Sequence, residues 1–294
     1  MKQILDIGVL VVTVLLMLTV GIELETSDFR QMRRRTAAFF GALLLPALVL
    51  PVLGFALARA LGLPSHLCAG ILLLAACPVG DIANFYTLLA RGNLALSVSV
   101  NGISCLFSVV TLSVAFALYD RLLGEHYAFA VPAPALILRL GLVAALPVLT
   151  GMSVRRWKPG WANRCRKPLR SLCLAGIVFV PSYVVASRWS QVAAEWRQTA
   201  IVALLFMGMA LVAGFAVARL LRLKAGDSIT MAILFAVRNV ALATAIAVTL
   251  LNRTEFAVFT MVYFLAEVPL LLSTAATYRV WSAPRATPLA QPAL

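Results

Sequence analysis

The chain has 294 residues, of which 62% are hydrophobic and only 12% charged, with a mean hydropathy of +0.97. Soluble domains run about half apolar and a quarter charged, so this composition excludes a soluble globular protein and fits one that crosses a membrane many times. The formal charge of +14 falls mostly in short loops between apolar runs and comes with no nucleic-acid recognition motif. It reads as the positive-inside bias, with some attraction to anionic lipid and no nucleic-acid partner.

Apolar runs of about 18–25 residues suffice to cross a bilayer core about 30 Å thick. Nine follow one another, at about 4–22, 37–60, 67–90, 93–118, 133–152, 170–187, 199–219, 228–250 and 255–277. The first lacks a small-residue cleavage pattern and is followed by FRQMRRR, so it reads as a retained span and not a signal peptide. Loops after the odd-numbered spans carry seventeen Lys and Arg residues, among them Arg33–Arg35, Arg155, Arg156 and Arg219. The opposite side carries seven, which predicts an outer N-terminus and a cytoplasmic C-terminus. No loop is long enough for a soluble domain. The expected organisation is a single membrane domain over residues 1–285 and a cytoplasmic tail at 286–294, in a multi-pass protein of a bacterial inner membrane.

Cys68, Cys77, Cys105, Cys165 and Cys173 form no CxxC and no Cys/His spacing suited to zinc, so they read as small packing residues. No metal site and no cofactor is indicated. His66 and His126 fall near span ends, where a solvated loop position is the default expectation. Asn252-Arg253-Thr254 matches a glycosylation sequon, an occurrence that chance explains.

The third span is interrupted. Residues 78–93 read PVGDIANFYTLLARGN, and Pro78-Val79-Gly80 near mid-span predicts a broken helix. Non-helical backbone is not tolerated against lipid, only inside protein or beside a wet cavity. An Asp at the bilayer centre costs about 2.5–3.5 kcal/mol on insertion scales, so Asp81 is expected to face inward with a partner. Two readings are open. Asp81 caps a restarted half-helix with Asn84 in its first turn, or the break forms part of a substrate or ion site.

The fourth span reads LALSVSVNGISCLFSV, with Ser97, Asn101, Ser104 and Ser108 at i, i+4, i+7 and i+11 on one helical face. Such a stripe serves either as interhelical glue or as a pathway lining. The eighth span holds Arg238-Asn239 near its middle, and no Pro or Gly marks a break there. An intramembrane Arg calls for a partner. The candidates are Asp81 and Glu267, the latter one turn beyond Tyr263 in the ninth span. A purely structural ion pair is the plainer alternative.

With these residues in view, the sequence resembles the bile acid/sodium symporter family. The resemblance is carried by GIELETSDF (21–29), ACPVGDIANFYTLLARGNLALSVSVN (76–101) and AVRNVALATAIA (236–247). It implies an all-α polytopic membrane protein of nine transmembrane helices built as an inverted repeat. A core domain (spans about 37–118 and 199–277) would contain two crossing discontinuous helices, spans three and eight, with Asn84 and Asn239 in matching positions. A panel domain (spans about 4–22 and 133–187) would move against it. The implied substrates are amphipathic or small organic anions, bile-acid-like, keto-acid or pantoate-like. The implied pathway residues are Gly80, Asp81, Asn84, Ser97, Asn101, Arg238, Asn239 and Glu267.

The family's sodium-site positions depart from its pattern. They hold Ala83, Asn84, Ser97, Asn101 and Leu234 at one site, and Leu234, Arg238 and Pro46 at the other. A guanidinium repels sodium, which needs several oxygen ligands. The expectation is therefore a secondary transporter, not an enzyme, with Arg238 in place of a sodium ion, either facilitated or with protons as coupling partner. The alternatives are a symporter that still uses sodium and a membrane sensor or scaffold that binds without moving substrate. An aspartyl protease using Gly80-Asp81 and Tyr119-Asp120 is disfavoured, because Asp120 lies at the edge of its span.

Overall fold

A computed structural model describes residues 2–24, 36–123, 133–166, 168–169, 171–172, 175 and 189–282. Helix α1 (Lys2–Glu23) and α2 (Thr36–Ala60) lead to the half-helices α3 (Ser65–Ala76) and α4 (Ile82–Leu89), followed by α5 (Leu94–Leu123). Next come α6 (Ala133–Leu140), a π-turn at Gly141–Ala145 and α7 (Leu146–Trp157). The remainder is α8 (Trp189–Leu220), a second pair of half-helices, α9 (Ala225–Ala236) and α10 (Val240–Ala245) with its π-turn Ile246–Leu250, and α11 (Thr254–Ser282). The expected sixth span lies almost wholly outside the described residues, as do the tail, Cys173, His126 and the loop at 25–35.

Five stretches are long and apolar enough to cross a membrane by themselves: Thr36–Ala60, Leu94–Arg121, Pro134–Trp157, Glu195–Leu220 and Thr254–Ser282. Their outer faces present Leu48, Val52, Val114, Leu138 and Val212 to the surroundings, as contact with acyl chains requires. Trp157, Trp161, Trp189 and Trp281 are exposed near helix ends, where an amphipathic ring sits best at the headgroup level. The all-α architecture and the multi-pass membrane character follow from these observations.

Half-helices α3 and α9 are too short to cross, and most of their residues are buried. Every residue from Leu67 to Ala76 is buried, and so is every residue from Ile229 to Ala236. A helix apolar on all sides belongs in the middle of a bundle. Accordingly α3 is flanked by α2 and α11, and α9 by α8 and α2. At the periphery α1 packs on α7 with the backbones in contact. A Cβ on Gly21 would overlap the Val148 carbonyl oxygen, and one on Gly151 would overlap that of Leu18.

The two halves share a local design. Residues 55–63 read FALARALGL and residues 215–223 read FAVARLLRL. Each segment closes a long helix through the same turn, with Gly62 at φ +58° and Arg222 at φ +52°. Leu63 N–H donates to Ala58 O at 3.0 Å in one turn, and Leu223 N–H to Ala218 O at 2.9 Å in the other. A left-handed residue at this position is the ordinary way to satisfy the last carbonyls of a helix. A twelve-residue half-helix and a break follow in both halves.

Candidate functional site

The two breaks meet. Val79 and Arg238 face each other as an isolated antiparallel bridge, the only pairing of extended backbone among the described residues. Gly80 N–H donates to Val237 O at 3.3 Å, and Asn239 N–H to Pro78 O at 2.9 Å. Proline forces Cys77 into an extended conformation (ψ 155°) and ends α3. Gly80 permits the approach, since a Cβ there would lie 2.7 Å from the Arg238 carbonyl oxygen. Val79 N–H donates to Ser104 Oγ at 3.2 Å, and the Tyr263 hydroxyl donates to Ala236 O at 2.5 Å. Backbone groups released by unwinding are thus re-satisfied inside the protein, which is what the absence of water in a bilayer demands.

Arg238 is 5% exposed and lies in the crossing itself. Its guanidinium donates to Cys77 O at the end of α3 and to Leu234 O in the last turn of α9, the latter at 3.5 Å. The expected carboxylate partners are not used: both bonds go to backbone carbonyls, and neither carboxylate oxygen of Glu267 has a hydrogen-bond partner. The physical reason is the helix dipole. Each helix C-terminus carries roughly half a negative charge, so two converging ends supply about the counter-charge that a guanidinium needs.

The polar stripe of α5 faces the first break. Ser97 Oγ donates to Asn84 Oδ1 at 2.7 Å, Asn101 Nδ2 donates to Asp81 Oδ1 at 2.6 Å, and Ser104 sits against Val79. Ser108 bonds within its own helix to Cys105 O. Asp81 occupies the N-cap position of α4 but makes no side-chain capping bond, so the capping reading is corrected. Its carboxylate reaches across to α5 instead. Asn239, by contrast, does cap: its Oδ1 accepts from Leu242 N–H at 2.9 Å. The two asparagines are therefore not equivalent, Asn84 lying inside a half-helix and Asn239 just ahead of one.

Helix α11 covers the second break with its own polar residues. Thr260 Oγ1 lies 3.1 Å from Thr244 Oγ1 on α10, Tyr263 holds the end of α9, and Glu267 follows one turn later, fully buried. Of the positions expected to depart from the family's sodium-site pattern, Ala83 and Leu234 are fully buried apolar side chains and Pro46 is buried inside α2. Residues that the sequence did not single out also matter. Asn93, in the turn before α5, donates to Asp227 Oδ1 at 2.7 Å and ties the two halves together at one end. At the other end His66, expected to be solvated, sits in the first turn of α3 with its ring 2.8 Å from Glu195 Oε2.

A family profile described as the Sodium Bile acid symporter family matches residues 10–195. The chain belongs to the sodium bile acid symporter family. It is 26% identical over 233 residues to the "Uncharacterized sodium-dependent transporter YocS" of Bacillus subtilis, a match covering 79% of this chain and 71% of that protein. It is 26% identical over 231 residues to the "Probable sodium/metabolite cotransporter BASS1, chloroplastic" of Arabidopsis thaliana, covering 79% of this chain but 56% of the plant protein. A shorter match, 32% over 149 residues, links it to the "Probable sodium/metabolite cotransporter BASS2, chloroplastic" of rice, with 51% of this chain and 34% of the rice protein covered. The chain thus spans about half or less of these plastid relatives. Membership in the sodium bile acid symporter family makes it a secondary transporter of the symporter class, not an enzyme.

Proposed function

We propose that this chain moves small organic anions across the membrane by alternating access, with the Arg238 guanidinium taking the place of a sodium ion at the helix crossing. One observation carries the reading: the guanidinium bonds to the carbonyl ends of both broken helices. In transporters with discontinuous helices, unwound carbonyls and half-helix C-termini are the groups that coordinate the driving cation. A tethered positive charge there removes the need for a soluble one. The apolar Ala83 and Leu234 support the same conclusion, since they contribute no side-chain oxygen to a cation.

In this reading α2–α5 and α8–α11 form the core, and α1, α6 and α7 belong to the panel. The likeness of residues 55–63 to 215–223, each followed by a broken helix, supports an inverted repeat of nine spans. Gly80, Asp81, Asn84, Ser97, Asn101, Arg238, Asn239 and Glu267 line or frame the pathway. The Lys and Arg excess in the loops after the odd-numbered spans supports an outer N-terminus and a cytoplasmic C-terminus. The substrate class, bile-acid-like, keto-acid or pantoate-like, rests on the family.

The test is uptake of labelled taurocholate and pantoate into proteoliposomes under a sodium gradient and under an equal potassium gradient. Equal uptake is expected; strong sodium dependence refutes the reading. That second outcome is the one the names of the Bacillus and plastid relatives favour.

A further inference from the structure

A run of positive charge begins where α7 ends. Seven Lys and Arg residues fall between positions 155 and 170, and no Asp or Glu occurs from 126 to 194. The span Pro134–Trp157 is long and apolar enough to cross a bilayer, so Trp157, its last residue, marks the level of the headgroups. The chain turns at Lys158 and starts a second helical segment over residues 159–166, with Pro159 at its first position. Ala162 N–H donates to Lys158 O at 3.0 Å and closes its first turn.

Two bonds fasten this segment to its neighbours. Arg155 Nη1, on α7, donates to Asn163 Oδ1, and Arg166 Nε donates to Glu23 Oε1 at the end of α1, at 3.4 Å. Ala162 is fully buried, while Trp157 and Trp161 are 78% and 53% exposed. Arg156, Lys158 and Arg164 are exposed too, and none of them pairs with a carboxylate among the described residues.

Offsetting the dipole of α7 accounts for Arg155 and Arg156 in its last turn, but not for Lys158 or Arg164 beyond it. A general excess of positive charge on one side of the membrane does not account for a fastened segment with exposed indoles set among the cations. Indoles at the acyl boundary with cations at the phosphate level are the signature of a segment lying in the interface. Basic clusters of this size beside the end of a span attract anionic lipid. An acidic soluble protein would match the charge but not the two indoles at headgroup level.

We propose that residues 155–166 form a binding site for an anionic phospholipid, with Arg156, Lys158 and Arg164 taking its headgroup phosphate and Trp157 and Trp161 seated beside its glycerol backbone. Because the segment is tied to both α7 and α1, the lipid pins that helix pair to one leaflet, whatever ion drives transport.

The test follows the melting temperature of the purified full chain in neutral detergent as phosphatidylglycerol, phosphatidylcholine or inorganic phosphate is added. Wild type should melt higher with phosphatidylglycerol alone. Arg164→Gln should move the half-point of that titration about fivefold upward, since each basic residue near an anionic surface contributes about 1 kcal/mol. The triple variant Arg156→Gln/Lys158→Gln/Arg164→Gln should lose the rise. Arg219→Gln/Lys224→Gln/Arg279→Gln removes as much charge elsewhere and should keep it. Equal loss in both triple variants marks a response to overall charge and overturns the proposal, as does an equal rise with phosphatidylcholine or inorganic phosphate. If the first triple variant fails to fold, Arg164→Gln decides: an unchanged half-point overturns the site.

Discussion

Asn101 and Asp81 lie on different helices, and a 2.6 Å bond from the amide of one to the carboxylate of the other joins α5 to the first break. The neighbouring bond from Ser97 to Asn84 repeats the attachment one turn along. Because Asp81 makes no cap on its own helix, its charge is held by a neighbour, and any movement of α4 relative to α5 must break or carry this pair. Charge-assisted bonds of this kind are worth about 1.5–3 kcal/mol. In a cycle of Asp81→Asn, Asn101→Ala and the double variant, thermal unfolding in detergent should show a coupling of about 1–2 kcal/mol. Strict additivity would mean that the two side chains stabilise the fold independently.

Gly80 lies against the backbone of Arg238 at the crossing. An added methyl would lie 2.7 Å from the Arg238 carbonyl oxygen and 3.1 Å from its carbon, both backbone atoms that cannot swing aside. Gly80→Ala should therefore destabilise by about 1–3 kcal/mol, as overpacking does. Gly208, inside α8, is the contrasting case, since a methyl added there would meet nothing within 4 Å. Gly208→Ala should be neutral or gain up to about 1 kcal/mol from helix propensity. Melting both variants beside wild type checks the contrast.

Arg222 adopts φ +52° in the turn where its counterpart in the first half is Gly62. A side chain in the left-handed region costs about 1–2 kcal/mol. Arg222→Gly is expected to raise the unfolding temperature, and the reverse exchange, Gly62→Arg, to lower it. Opposite signs in the two melting curves are the result to look for.

Tyr263 on α11 holds the end of α9 through the bond to Ala236 O. Tyr263→Phe keeps the ring packing against Phe206 and Phe259 and removes only this donor. A loss of about 1 kcal/mol in the unfolding free energy is expected, read from denaturant or thermal unfolding in detergent.

The first break and its surroundings were legible in the sequence because their chemistry is local. Pro78 and Gly80 are helix breakers wherever they fall, and the i, i+4, i+7 spacing puts Ser97, Asn101 and Ser104 on one face in any α-helix. The second break, Val237-Arg238-Asn239, contains no breaker; it follows from tertiary structure, in which the first break offers the carbonyls and the donor that its backbone and guanidinium need. A signal did exist in the likeness of FALARALGL to FAVARLLRL, which places the second half-helix and its end by analogy with the first. The partner of Arg238 was beyond sequence reasoning, since charge pairing suggests carboxylates and gives no weight to helix ends. The same holds for Asp81: an acid ahead of a helix suggests a cap, and only the position of α5 decides otherwise.

In the proposed mechanism, whatever neutralises the carbonyls at the crossing decides how transport is driven. Ligands that bind the folded state raise its stability, by about 2.7 kcal/mol at a hundredfold excess over the dissociation constant. The most direct measurement is therefore the melting temperature of the purified protein in saturating NaCl and in KCl of the same ionic strength. Identical values are predicted for the wild type, with Arg238→Gln melting lower in both salts because two carbonyls lose their donor. A rise specific to sodium in the wild type would contradict the claim that Arg238 occupies the cation's place.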